Sequence, residues 1–162
     1  MTSFFWISNS AFRNLTNEAD RAYPFETGGV LVGYVAVTGE PVIFEAIGPG
    51  PKAIHRRTRF NPDHAWQCEQ LNALFERSSG RWTYLGDWHT HPNGSPRMSW
   101  LDHRTLHSIA IHPQAQMPRP LMLIGGGAAQ SWDWEGHLYL TPRLFGLLTE
   151  CEEIAPRIFH QT

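Results

Sequence analysis

Residues 84–102 read YLGDWHTHPNGSPRMSWLD and contain a strand pattern, a loop and a helix start in direct succession. Residues 81–89 are rich in aromatic and other strand-forming side chains, which predicts a central β-strand. The proline- and glycine-containing run at 92–96 predicts a loop. Ser99 and Asp102 have the spacing of a helix start, so we predict a helix from Ser99 to about Ile111.

The histidines of this segment have the spacing of metal ligands. Residues two apart on a strand share a face, so His89 and His91 can direct two imidazoles at one point. The loop after them can fold Asp102, in the first turn of the helix, back over the end of the strand. Two imidazole nitrogens and one carboxylate oxygen suit Zn²⁺ with a fourth position left for water. We therefore predict one zinc ion bound by His89, His91 and Asp102.

A metal centre with an open position needs a general base and an oxyanion donor. The chain offers several carboxylates, among them Glu26, Glu40, Glu45 and Asp87. Glu26 is favoured because Gly28 and Gly29 follow it, and residues without a Cβ let the backbone come close to a site. The Ser99 hydroxyl, three residues before Asp102, is placed to donate to an oxyanion.

Each of these features also has a purely structural explanation. His-x-His on a strand commonly arises by chance, and Ser-x-x-Asp is also a helix capping box. Glu26 could be a solvated residue after a helix. The combined spacing, with Pro92 directly after the histidines, favours the metal site over these separate explanations.

This arrangement resembles the motif of the JAMM (MPN-plus) metalloproteases, which is a distant Glu, His-x-His-Pro, six residues and Ser-x-x-Asp. Each position of the motif is filled, by Glu26, His89, His91, Pro92, Ser99 and Asp102. Residues 26–33 and 84–92 are similar to small stand-alone bacterial members, often encoded beside E1-like and E2-like proteins in antiviral or mobile-element operons. The likeness covers roughly residues 10–140. It implies a cytidine-deaminase-like fold, in which helices flank a mixed sheet with zinc at a strand end.

The resemblance also implies roles and a substrate. His89, His91 and Asp102 would bind zinc, Glu26 would activate a water and protonate the leaving amine, and Ser99 would stabilise the oxyanion. The family usually cleaves the isopeptide bond after the C-terminal glycine of a ubiquitin-like protein, and some members cut a linear peptide bond there. The implied partners are a ubiquitin-like protein or its conjugate and E1-like and E2-like proteins.

Three other functions were weighed against this one. The His-x-His-Pro-x-Gly segment also resembles bacterial RadC-type proteins, whose cellular role is less certain. A non-catalytic MPN scaffold is the non-enzymatic alternative, although such domains commonly lose ligands and none is lost here. A zinc deaminase needs a Pro-Cys-x-x-Cys pair, and neither Cys68 nor Cys151 lies in one.

Composition sets the class of protein. The 162 residues include 13 Lys and Arg, 15 Asp and Glu, and 2 Cys. We expect one α/β (α+β) domain over residues 1–162, with no general electrostatic attraction to nucleic acid. We find no signal peptide or membrane-length apolar run, which leads us to expect a cytoplasmic protein.

The remaining pattern predicts the other elements. We predict helices over 8–23, from 61–63 to 77, and over 142–154, strands over 28–37, 41–47 and 118–124, a tight passage at 125–127, and a terminal hairpin around 131–134 and 138–140. The last helix could form a homodimer surface through Leu144, Leu147 and Leu148.

A basic run lies between the predicted strand over 41–47 and the helix that begins at 61–63, and it is expected to be extended. It consists of Lys52, His55, Arg56, Arg57 and Arg59. It is explained either as a solvated edge strand, or as a surface that receives an acidic partner or guides a substrate tail, with nucleic acid as a weaker option.

Overall fold

The computed structural model describes residues 4–143 and 148–161, which form three helices and nine strands. Two of the strands are only two residues long and form a separate hairpin. The elements are β1 (Phe4–Ser8), α1 (Asn9–Ala22), β2 (Gly28–Val35), β3 (Pro41–Ile47), β4 (Ile54–His55), β5 (Phe60–Asn61), α2 (His64–Arg77), β6 (Thr83–Pro92), α3 (Trp100–Ile111), β7 (Leu121–Ala128), β8 (Ser131–Arg143) and β9 (Leu148–Phe159).

The seven longer strands form one mixed sheet in the order β1-β3-β2-β6-β7-β8-β9. β6 runs parallel to β7 and antiparallel to β2. β1 pairs in parallel with β3 on one side and with β9 on the other, so the sheet closes on itself. The mixed α/β class expected from the sequence is confirmed.

The main core lies on the face of β6 that carries Trp88. This side chain is 1% exposed, and its Nε1 donates to the Ile47 carbonyl oxygen at 3.0 Å. Leu31, Leu123 and Leu15 of α1 belong to the same buried cluster. Because side chains alternate along a strand, burial of Trp88 leaves its neighbours at 87 and 89 on the opposite face.

α3 packs on that opposite face of the sheet. Leu106 is fully buried there against Met122, Ile124 and Tyr139. The helix therefore holds its first turn over the end of β6.

The helices predicted over 8–23, from 61–63 to 77, and from Ser99 to about Ile111 correspond to α1, α2 and α3. Among the described residues, the helices are too short to cross a membrane.

The predicted helix over 142–154 is wrong, because β8 extends to Arg143 and β9 begins at Leu148. Helix propensities differ by less than about 0.7 kcal/mol per ordinary residue, whereas burying one Ile side chain contributes about 1.5–3 kcal/mol. Ile154 is 2% exposed on β9, between exposed residues 153 and 155, so sheet closure decides the outcome. Of the leucines proposed for a homodimer surface, Leu144 and Leu147 lie outside the described residues.

The predicted terminal hairpin is also wrong, since residues 131–143 form one continuous strand. The turn lies one step earlier, between β7 and β8, where Gln130 has a φ of 63°. The glycines at 125–127, expected to form a tight passage, belong to β7 itself. Gly125 faces Trp134, whose ring occupies the space that a Cβ would fill.

Candidate metal centre

β6 and the first turn of α3 bring together two imidazoles and one carboxylate. The Nε2 atoms of His89 and His91 lie 3.0 Å apart. Asp102 Oδ1 lies 3.1 Å from His89 Nε2, and Asp102 Oδ2 lies 3.4 Å from His91 Nε2. The three side chains are 12%, 19% and 11% exposed, so they are shielded but reachable from solvent. In the part of the chain that the structure describes, this is the one group of three or more such side chains with ligand spacing.

The separations between these donor atoms fit a tetrahedral zinc ion. With bonds of about 2.0–2.1 Å, two ligands of a tetrahedral zinc lie ~3.3 Å apart. The 3.0 Å between the two Nε2 atoms and the 3.1 Å from His89 Nε2 to Asp102 Oδ1 are close to that value, and the second carboxylate oxygen, Oδ2, lies 3.4 Å from His91 Nε2. Three protein ligands with nitrogen and oxygen donors leave the fourth position for water, as in catalytic zinc sites.

The orientation of His91 is fixed by a backbone carbonyl. Its Nδ1 lies 2.9 Å from the Ser95 oxygen, and because a carbonyl only accepts, Nδ1 carries the hydrogen and Nε2 remains free to bind a metal. The Ser95–Pro96 peptide lies directly over Gly126, where a Cβ would approach within 2.4 Å. The buried His137 binds the Pro96 oxygen at 2.9 Å. The loop at 92–96 is thus held by β7 and β8.

Asp102 caps α3 and also faces the two imidazoles. Its Oδ2 accepts from the Ser99 backbone N–H at 2.7 Å, and its own N–H donates to Ser99 Oγ at 3.2 Å, completing a capping box. Burial acts to raise the pKa of this carboxyl, but the adjacent His89 and His91 imidazoles and the bond from Ser99 outweigh it and hold the pKa well below its usual range. Asp102 is therefore ionised, as a metal ligand must be.

Glu26 lies beside the three ligands without belonging to them. The antiparallel register pairs Gly28 with His89, and Thr90 N–H donates to the Thr27 oxygen at 2.9 Å. Glu26 precedes this pairing by one residue, and the charges of His89 and His91 act on its carboxyl, so it lies close to the two imidazoles. Burial raises the pKa of the Glu26 carboxyl, although the neighbouring histidines act to lower it. A raised carboxyl pKa suits a general base that must also release the proton.

The other carboxylates considered from the sequence are engaged elsewhere. Glu40 lies in the turn after β2, at the far end of that strand from Gly28, and accepts from Thr38. Glu45 pairs with Arg77 at 3.1 Å. Asp87 accepts from the Tyr84 hydroxyl at 2.9 Å, and burial raises its pKa to about 6.

Ser99 is the N-cap of α3, and its geometry is compatible with the second function predicted for it. Its oxygen accepts the helix-capping bond from Asp102, while its hydroxyl hydrogen is not used by that bond. The residue is exposed at the start of α3. It can therefore cap the helix and still donate to an oxyanion.

The basic run forms the short β4–β5 hairpin next to Glu26. A groove of about 270 Å³ is lined there by Ile54, Arg56, Arg59, Phe60 and Asn61. All three arginines of the run are exposed. The Glu26 N–H donates to the Arg56 oxygen at 2.8 Å, so the hairpin directly adjoins the site.

The sequence patterns did not reveal several polar residues around the site. His55, His137 and the Ser95 carbonyl act through backbone contacts across distant elements, which leave no spacing signal. His103 and His107, four residues apart on α3, bind Thr149 and the Tyr139 hydroxyl at 2.8 and 3.0 Å. They form no second metal cluster within the described residues.

Comparisons with known proteins match most of the chain. The model for prokaryotic homologs of the JAB domain matches residues 8–135. A protein of Sinorhizobium fredii named "Probable metalloprotease y4qB" is 36% identical over 149 residues, covering 90% of this chain and 91% of that protein. A protein of Enterobacter hormaechei named "CD-NTase/cGAS isopeptidase" is 33% identical over 126 residues, covering 75% of this chain and 66% of that protein. The solution structure of protein DSY2949 from Desulfitobacterium hafniense has the same fold, with a TM-score of 0.65, 20% identity and coverage of 98% and 94%.

Proposed function

The chain belongs to the family of prokaryotic homologs of the JAB domain, and we propose that it is a zinc-dependent peptidase of that family that cleaves after the C-terminal glycine of a ubiquitin-like protein. The observation that carries this proposal is the set of His89, His91 and Asp102, whose donor atoms lie within 4.8 Å of one another, with Glu26 beside it. Similarity to proteins named a metalloprotease and an isopeptidase supports hydrolysis of an amide bond.

The substrate is proposed to be a conjugate or a precursor. The name "CD-NTase/cGAS isopeptidase", given to relatives from four bacteria, supports cleavage of an isopeptide bond. In our proposal this bond joins a ubiquitin-like protein to a target protein. Removal of that modifier would fit a bacterial antiphage system with E1-like and E2-like partners. Maturation of a modifier by cleavage of a linear bond uses the same chemistry.

We assign the chemical steps to residues of this chain. One zinc ion per chain, held by the three ligands, would supply a Lewis acid that polarises the scissile carbonyl and acidifies the attacking water. Glu26 takes a proton from that water as its oxygen bonds to the carbonyl carbon. Glu26 then gives the proton to the amine nitrogen as the carbon–nitrogen bond breaks. Ser99 donates its hydroxyl hydrogen to the carbonyl oxygen while negative charge develops there.

The proposal is tested by metal content and by cleavage. The purified protein is expected to hold about one zinc per chain, measured by elemental analysis. It should release a fluorescent peptide joined through a lysine side chain to the C-terminal glycine of a ubiquitin-like domain. A chelator should abolish the release and added zinc should restore it.

The same experiment separates the alternatives. A zinc-loaded chain that cleaves none of a panel of such conjugates and linear fusions, yet binds them, would favour the non-catalytic scaffold. A RadC-like protein would show no preference for a ubiquitin-like domain over an unrelated domain with the same C-terminal residues.

We further propose that the β4–β5 hairpin guides an acidic segment of the substrate toward Glu26. The exposed Arg56, Arg57 and Arg59 form a local positive surface on a chain of net charge −2. A hairpin this short is also explained as an edge blunted by charge. The groove on the hairpin and its contact with the Glu26 backbone favour the guiding role.

Charge reversal of this surface is expected to change substrate preference. At low salt, wild-type protein should cleave a fusion with acidic residues before the terminal glycines about tenfold better than one with basic residues. Exposed pairs contribute about 0.2–1 kcal/mol each, so Arg56→Glu/Arg59→Glu should invert this preference, and salt should weaken it. The comparison is made as a ratio of kcat/KM values.

A matched control is Arg13→Glu/Arg119→Glu, which changes net charge equally at exposed positions away from the hairpin. An unchanged preference in the hairpin variant, or an equal change in the control, would rule out the guiding role.

A further inference from the structure

His55 is a half-buried histidine of the β4–β5 hairpin to which the steps above give no role. Its Nδ1 lies 2.9 Å from the backbone oxygen of Glu26. Because a carbonyl only accepts, Nδ1 must carry the hydrogen. The imidazole is also stacked on Phe60, with 6.3 Å between ring centroids and 14° between planes. The direction of its donor is therefore fixed by packing.

The hairpin holds Glu26 from both backbone groups. While His55 donates to the Glu26 oxygen, the Glu26 N–H donates to the Arg56 oxygen at 2.8 Å. The hairpin is itself closed by the Arg56 N–H, which donates to the Arg59 oxygen at 2.8 Å. The consecutive residues His55 and Arg56 thus bind the backbone oxygen and the backbone N–H of Glu26.

Glu26 needs this external support because it lies between α1 and β2, outside both elements. The next residue, Thr27, is fixed to β6 by three bonds with Thr90. Thr27 N–H donates to Thr90 Oγ1 at 3.1 Å, and the Thr27 oxygen accepts from Thr90 N–H at 2.9 Å and from Thr90 Oγ1 at 3.4 Å. The ladder of β2 begins only at Gly28. The hairpin therefore supplies the backbone bonds that the sheet does not provide at Glu26.

We propose, on the basis of the hydrolytic role proposed for Glu26, that His55 is a positioning residue for that general base. The Nδ1–H bond fixes the Glu26 peptide, and the fixed peptide aims the carboxylate at the face of His89 and His91. A displacement of about 1 Å at a reacting group can cost ~10²-fold in rate. Loss of this bond should therefore lower kcat without removing a ligand or a substrate contact.

Two substitutions separate the hydrogen bond from the packing. His55→Phe keeps a ring that stacks on Phe60 but has no donor. His55→Asn loses the ring but places an amide N–H near the position of Nδ1. His160→Phe is the control, because this exposed histidine contacts Asn9 and lies on no element of the site.

For the conjugate cleaved by wild-type protein, His55→Phe is expected to lower kcat about 10- to 100-fold. KM should stay within twofold, and zinc content and thermal midpoint should match wild type. His55→Asn should recover most of the lost rate, and His160→Phe should behave as wild type. A wild-type kcat in His55→Phe, a loss carried by KM, or failure of His55→Asn to recover activity would each overturn the positioning role.

Amide hydrogen exchange tests, without a substrate, whether the His55 bond to the Glu26 oxygen also steadies the Glu26 N–H, which donates to the Arg56 oxygen of the same hairpin. Exchange of the Glu26 N–H is expected to be slow in wild type and in His55→Asn, and at least tenfold faster in His55→Phe. Equal rates in all three proteins would overturn the proposal even if no conjugate were cleaved. Inactivity of the wild-type protein alone would contradict only the proposed hydrolysis, so the two failures are distinguishable.

Discussion

Replacement of Glu26 by glutamine is expected to leave about one zinc per chain and to abolish nearly all cleavage. The substitution preserves shape and removes the group that accepts the proton. General base catalysis typically contributes 10²–10⁴-fold, and the proposed mechanism uses one carboxyl in both proton transfers. We therefore expect kcat/KM to fall by about 10³-fold or more, with zinc measured by elemental analysis unchanged.

The expected retention of zinc follows from the geometry of the site. The mutually close donor atoms belong to His89, His91 and Asp102, and Glu26 is not among them. Its influence on the ligands is electrostatic, because the histidines act to lower the pKa of its carboxyl while burial raises it. Removing the carboxylate charge should change zinc affinity by far less than removing a ligand.

Two variants control this experiment. Glu45→Gln removes a carboxylate that pairs with Arg77 on β3 and should leave the rate unchanged. Asp87→Asn tests the other carboxylate on the face of β6 that carries the histidines. If Glu26→Gln cleaves normally while Asp87→Asn does not, the base has been misassigned and Asp87 performs its function.

The spacing of the site residues was predictable because their chemistry constrains the chain locally. A strand with His-x-His presents both rings on one face, and Ser-x-x-Asp begins a helix whatever its wider context. The sequence could not predict the contacts that orient these side chains and hold the loop at 92–96. The Ser95 oxygen binds His91, the Ser95–Pro96 peptide lies over Gly126, and His137 binds the Pro96 oxygen. This set of contacts is complete only after three strands have paired. Such contacts involve main-chain atoms that every residue possesses.

The errors in the fold have a related cause. Residues 142–154 contain good helix formers, and their local sequence gives no indication that β1 pairs with β9. That pairing joins residues near opposite ends of the chain, with Phe4 beside Ala155. Long-range pairing buries apolar surface and forms a full ladder of hydrogen bonds. The free energy gained in this way exceeds the small differences in local helix and strand propensity. By contrast, α3 was predictable because its cap, Ser99, lies next to it in sequence.

Substitution of Asp102 by asparagine is expected to lower zinc affinity by more than 100-fold while leaving α3 intact. The two roles of this side chain can be separated because they need different properties. The capping bond from the Ser99 N–H requires only an acceptor oxygen, which asparagine retains. Zinc binding requires an anionic oxygen, which asparagine lacks. Even groups that only support a ligand cost about 10–100-fold in affinity when lost, so loss of a ligand should cost more.

Asp102→Ala and Ser99→Ala complete the comparison. Asp102→Ala should lose zinc and also destabilise the helix start by about 1 kcal/mol relative to asparagine, because it lacks the capping acceptor. Ser99→Ala should lose one capping bond and keep zinc affinity within a fewfold, yet cleave about 10²-fold more slowly if its hydroxyl stabilises the oxyanion. Zinc affinity is measured by competition with a chromophoric chelator, and the helix by hydrogen exchange along α3. Wild-type zinc affinity in Asp102→Asn would reduce Asp102 to a capping residue, and the centre would then need another carboxylate, for which Glu26 is the nearest candidate on the same face.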